Sequence, residues 1–161
     1  MKQYASGQPA IRVICIGRML RGDDALGLLA GQQLQQLYPE LSVMSCDGEA
    51  GGLSSLLQGT RRVLLLDALS WGLAPGTLIE LDPLNDPLPP EWRLSPHSFG
   101  LAEGLALAEV LGELPRTLRI LGLQAGSFEA DTGLTPAVAE AIPSLLQRAV
   151  AILETWRQEI L

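Results

Sequence analysis

Apolar residues in this chain fall into short runs separated by polar, glycine- and proline-containing joints, and the spacing within each run predicts what it builds. Ala10 to Ile16 is rich in β-branched residues and stops at Gly17, which reads as a first strand. Beyond Gly22-Asp23-Asp24 the apolar positions are Leu26, Leu29, Ala30, Leu34 and Leu37. That is helical spacing, with Asp23 placed to cap it and Tyr38-Pro39 to stop it. Leu41 to Cys46 reads as a second strand, and Gly51-Gly52 leads into a short helix through Leu57. Arg62 to Leu66 is a third strand with Asp67 at its end, and its near-continuous apolar run predicts burial on both faces.

Thr77 to Leu81 is a fourth, short strand. Asp82 to Pro96 is proline-rich and lacks periodicity, so it reads as a long surface loop of the kind that often carries function. Leu101, Leu105, Ala108 and Leu111 mark a helix closed near Gly112, and Thr117 to Leu123 a fifth strand. A loop from Gln124 to Leu134 then meets Thr135-Pro136, a helix cap followed by proline at the first helical position. The last helix has its apolar face at Val138, Ala141, Ile142, Leu145, Leu146, Ala149 and Leu153, and Pro143 inside that pattern predicts a kink or break.

Strands alternating with helices predict an α/β fold: one three-layer domain over residues 1–161, with a mostly parallel, twisted five-stranded sheet and helices on both faces. No internal repeat or second domain is visible, and residues 1–9 read as a flexible N-terminal segment. Such sheets place their sites outside the carboxyl ends of the strands.

Composition narrows the classes of function. Hydrophobic residues are 47% of the chain, so a core is easily built, and with aromatics at 4% it must be aliphatic. The net charge of −7, with Lys2 the only lysine, excludes a generic nucleic-acid binder, which needs clustered cations. No apolar run approaches bilayer-spanning length and the N-terminus has no apolar signal core, so the expectation is a cytoplasmic protein without membrane contact. Cys15 and Cys46 read as reduced core residues, too few for a zinc ribbon.

Candidate chemistry gathers at one sheet edge. Asp23 and Asp24 follow the first strand, Asp67 ends the third, and His97, the only histidine, precedes a helix. Singly, each has a plain reading as a cap, a first-turn charge or a turn residue. Together they form a mixed carboxylate and imidazole set. Two close carboxylates repel unless a cation or proton lies between them, and three protein ligands leave positions open for substrate. Ligand type alone does not choose among first-row divalent metals.

At these same places the sequence resembles the [NiFe]-hydrogenase maturation endopeptidases. The family's Gly-Asn-x-Leu followed by two acids that begin a helix is matched by Gly17-Arg18-Met19-Leu20-Arg21-Gly22-Asp23-Asp24. Its Asp-Gly-Gly-Thr motif is matched by Asp47-Gly48-Glu49-Ala50, its strand ending in Asp-Ala by Leu66-Asp67-Ala68, and its Ser-x-His by Ser95-Pro96-His97. Pro75-Gly76-Thr77 and Gly133-Leu134-Thr135-Pro136 match two further segments. In order, these matches cover the chain from about Ile11 to Leu153.

The resemblance implies an endopeptidase that removes the C-terminal extension of a [NiFe]-hydrogenase large-subunit precursor after nickel insertion. It implies Asp24, Asp67 and His97 as both nickel ligands and catalytic residues, and Asp47, Gly48 and Glu49 as substrate-binding residues. The Ni²⁺ would arrive with the substrate, and the enzyme would act as a monomer. The metal would polarise the scissile carbonyl or activate water, or only position the peptide while a carboxylate serves as base. Two motifs depart from the family: Arg18 replaces asparagine, and Glu49-Ala50 replaces Gly-Thr. Arg18 could weaken metal binding, pair with Asp23, or grip a substrate carboxylate. A checkpoint protein that binds nickel-loaded precursor without cutting it is the alternative. A response-regulator receiver would need a lysine after strand five, where Gln124-Ala125-Gly126 stands, and no Gly-x-Gly-x-x-Gly or Walker lysine supports nucleotide binding.

Overall fold

The computed structural model describes residues 9–88 and 96–160, and of residues 96–99 the backbone only. The expected flexible segment 1–9 lies outside it save for Pro9. The elements are β1 (Ile11–Ile16), a 3₁₀ turn (Gly22–Ala25), α1 (Leu26–Leu37), β2 (Ser42–Cys46), α2 (Ala50–Leu57), β3 (Arg62–Leu69), β4 (Leu78–Leu81), α3 (Pro96–Val110), β5 (Thr117–Gln124) and α4 (Pro136–Ile160). The strands form one sheet in the order β2-β1-β3-β5-β4. Only β4 runs antiparallel, against β5, so the mostly parallel expectation holds.

Period-two alternation in β3 divides the core. Leu64, Leu66 and Ala68 pack with α1 and α4, among Leu26, Leu34, Leu145 and Leu153. Val63, Leu65 and Leu69 pack on the other side with α2 and α3, among Leu53, Leu57, Leu101 and Leu105. Gly27 lets α1 settle on the sheet: a Cβ there would lie 2.6 Å from both the Ile16 and the Leu66 carbonyl oxygens. The two cysteines are free and belong to opposite faces, and burial pushes the Cys15 thiol up to about 12.

Several expectations are corrected. Asp67 does not end its strand. The β1–β3 ladder stops at Cys15↔Leu66, while Asp67, Ala68 and Leu69 continue to pair with Gly122, Leu123 and Gln124 of β5. Asp23 does not cap α1, which follows a 3₁₀ turn and has no side-chain cap. Gly51 and Gly52 lie inside α2, and Leu37 and Leu111 are exposed. Helix α4 runs unbroken through Pro143. Pro143 and Ala139 both face solvent, so water can satisfy the carbonyl that the missing N–H abandons, while Val138, Ile142 and Leu145 hold the helix to the sheet. Among the described helices α4 alone reaches the length and hydropathy of a membrane span, contrary to expectation. It is a sheet-covering helix, however, with a buried stripe ending at Trp156 and Arg148, Glu154 and Arg157 on its outer side.

Candidate active site

The chain turns from β1 to β2 on one side and then crosses to β3 on the other. The crevice between β1 and β3 is therefore the switch point of the sheet, where α/β folds open a site. By register Asp67 stands level with Ile16, the last residue of β1, so it lies where the two strands part and β3 runs on. The pleat directs its side chain to the face shared with Val63, Leu65 and Leu69. Asp24 enters from the 3₁₀ turn that follows β1.

A cleft of about 440 Å³ receives both side chains. Asp24 is 7% exposed and Asp67 1%, so two carboxylates are held at the boundary of core and solvent. Of the groups expected to converge at this edge, Asp24 and Asp67 share the cleft. Asp47, Gly48 and Glu49, expected from the resemblance to bind substrate, form a second wall. Asp47 shapes that wall by accepting the Glu49 N–H at 3.1 Å. The third wall is the start of α3, where a Cβ on Gly100 would lie 2.2 Å from the Gly48 carbonyl oxygen. Only glycine allows this approach. His97 lies one helical turn earlier on the same helix, inside α3 rather than ahead of it. Its side chain lies outside the described residues.

The cleft is acidic. Asp24, Asp47, Glu49, Asp67 and Glu103 line it against Arg18 and Arg21, an excess that draws cations. Arg18 pairs with Asp47 at 3.6 Å, each about half exposed, and not with Asp23. The nearby Cys46 thiol is pushed up by burial, pulled back by the Gly48 N–H, and raised further by Asp47 and Asp67. A thiol so shifted is a poor nucleophile at neutral pH. Two carboxylate oxygens suit a divalent cation. No group of three or more His, Cys, Asp or Glu side chains able to hold an ion occurs among the described residues, so a third ligand would have to come from beyond them.

Asp23 is fully buried and faces away from this chemistry. Its carboxylate accepts the N–H groups of Gly126, Ser127 and Thr135 at 2.7, 3.1 and 2.7 Å, and the Thr135 hydroxyl at 2.8 Å. Thr135 begins α4 as expected, yet its hydroxyl serves Asp23. The β5–α4 loop, fastened in this way, supplies Phe128 to the cleft. Sequence reasoning missed Phe128 and Glu103. Phe128 had a signal: it is one of two phenylalanines in the chain and follows a parallel strand at the same sheet edge.

The fold and site define a doubly wound α/β protein with a dicarboxylate cleft at its switch point. The hydrogenase maturation protease family model (HycI) matches residues 31–152. The hydrogenase 2 maturation protease of Escherichia coli K12 is 33% identical over 148 residues, covering 89% of this chain and 90% of that protein. The hydrogenase expression/formation protein HupD of Rhizobium leguminosarum bv. viciae is 32% identical over 156 residues, covering 92% and 76%. The solved structure of the hydrogenase maturating endopeptidase HybD from E. coli aligns with a TM-score of 0.76 at 29% identity, over 91% of this chain and 93% of that one. The chain belongs to the hydrogenase maturation protease family, and it is an endopeptidase.

Proposed function

We propose that this endopeptidase removes the C-terminal extension of a [NiFe]-hydrogenase large-subunit precursor once that precursor carries nickel. The observation that carries the reading is the convergence of Asp24 and Asp67, almost wholly buried and from separate segments, on one acidic cleft beside the Asp47–Glu49 wall. Nickel would come with the substrate, held by Asp24, Asp67 and His97, and would supply Lewis acidity at the scissile carbonyl or a fixed point that orients it. The chain itself holds the peptide between the Asp47–Glu49 wall and the start of α3, excludes bulk water from the floor, and offers a carboxylate to take a proton from the attacking water. The enzyme works as a monomer in the cytoplasm.

The test is a cleavage assay on purified precursor, with and without loaded nickel, followed by mass spectrometry. Nickel-dependent loss of the tail, abolished by Asp24→Asn, Asp67→Asn and His97→Ala in folded protein, is the expected result. Retained cleavage in any of the three variants removes that residue from the site. Family membership disfavours the non-cleaving checkpoint, and a cognate precursor that binds yet stays intact would restore it.

A further inference from the structure

We infer that the open edge of β2, with the uncharged groove beside it, binds an extended segment of the precursor as an added strand. The inference rests on the proposed peptidase reading and assigns that substrate a second contact outside the catalytic cleft.

Both edges of the sheet are strands, but they are treated differently. β4 carries Glu80, which accepts two hydrogen bonds of 2.8 Å from Arg148, and such charge discourages strand addition. β2 reads Ser-Val-Met-Ser-Cys, without a charge, and among the described residues it pairs only with β1. The Gly17 N–H donates to the Cys46 carbonyl, so the even-numbered residues of β2 turn their backbone groups toward β1. Val43 and Ser45 therefore present N–H and C=O to the open side.

A groove of about 330 Å³ flanks this edge. Met19, Leu28, Val43 and Met44 make it apolar, and Gln32 and Ser45 supply neutral polar groups. No charged residue lines it, in a chain of net charge −7. Met19 and Met44 are 52% and 41% exposed, and methionine adapts readily to an incoming side chain. The occupant follows from continuity with the cleft. Met19 lies on the loop that gives Arg18 and Arg21 to the cleft, so one loop separates the two spaces. From Ser45 the chain reaches Asp47 in two residues, about 7 Å. An added strand would lie three strand spacings from β3, about 14 Å, so a peptide paired with Ser45 needs roughly five more residues to reach Asp67. Main-chain pairing gives affinity, and the groove selects an apolar side chain on the segment.

Ser45→Pro deletes an outward N–H without touching the β1 ladder, and Met19→Glu places charge in the groove. With nickel-loaded precursor, each should raise KM roughly tenfold and leave kcat within about twofold. In a complex of the Asp67→Asn enzyme with loaded precursor, the amides of Val43 and Ser45 should gain protection from hydrogen exchange. Unchanged KM in the folded variants, with unchanged exchange, overturns the inference. So does protection that rises with enzyme concentration in the absence of precursor, which would make a second copy the occupant. If Ser45→Pro does not fold, Met19→Glu and the exchange measurement decide. Failure of wild-type enzyme to cut the precursor would refute the peptidase reading, while precursor-dependent protection at Val43 and Ser45 would still locate the bound strand.

Discussion

The carboxylate of Asp23 takes both the backbone N–H of Thr135, at 2.7 Å, and its hydroxyl, at 2.8 Å, so the turn after the first strand is fastened to the start of the last helix. The Gly126 and Ser127 N–H groups complete the set, and the Asp23 N–H returns a 2.9 Å bond to the Ser127 carbonyl. Removing the acceptor leaves several buried donors without a partner, at about 1–3 kcal/mol for each such group. Asp23→Ala is expected to lose at least about 3 kcal/mol of stability, read by urea denaturation. Asp23→Asn should also destabilise, because its amide turns a donor toward donors.

Gly27 and the glycines of α2 should respond in opposite ways to alanine. The methyl of Gly27→Ala meets two strand carbonyls that cannot swing aside, and overpacking of this kind costs about 1–3 kcal/mol. Gly51 and Gly52 have nothing within 4 Å of the added carbon, so alanine there should stabilise α2 by about 0.5–1 kcal/mol. Paired thermal melts of the three variants check both signs.

Arg18 and Asp47 form an ion pair across the mouth of the cleft, but each is about half exposed. Such pairs contribute about 0–1 kcal/mol, so Arg18→Asn should leave the melting temperature almost unchanged. Its effect belongs in substrate handling, since it frees Asp47 and removes one of two cations from an acidic cleft. A changed KM across a panel of precursors, with unchanged stability, is the expected outcome.

Asp82 gives a pH signature away from the cleft. Burial pushes its carboxyl up, but hydrogen bonds from Asn85 and Arg119, with the charge of Arg119, outweigh this and hold it below its usual value. A group lowered in the folded state adds stability above its unfolded value, about 3.9, and loses it as pH falls through the folded one. The stability difference between wild type and Arg119→Leu should be level from pH 5 to 7 and shrink below about pH 4, as measured by denaturant titration.

Much of this was legible in the chain. The β-branched run before Gly17 and the helical spacing from Leu26 to Leu34 placed β1 and α1, and two acids between them marked the turn that delivers Asp24. What sequence could not separate was the work of the two neighbours. Asp23 and Asp24 have the same chemistry and differ only in where a 3₁₀ turn aims them: one into the β5–α4 loop, the other into the cleft. Asp67 misled for a related reason. A charged residue reads as the end of an apolar strand, yet here pairing with Gly122 carries the strand past it. The partners of Asp23 lie more than a hundred positions away, and no local pattern announces contacts of that range.

The unequal length of β1 and β3 bears on anyone wishing to build such a site afresh. The cleft opens where one strand continues after its neighbour has turned away, which leaves a step in the sheet with the Asp67 side chain at its foot. A designer working from another parallel sheet would therefore begin by trimming one strand relative to the next, and choose residues for the step afterwards. Copying the acidic motifs onto strands that finish level would put the same letters on a flat rim, with no floor beneath the peptide.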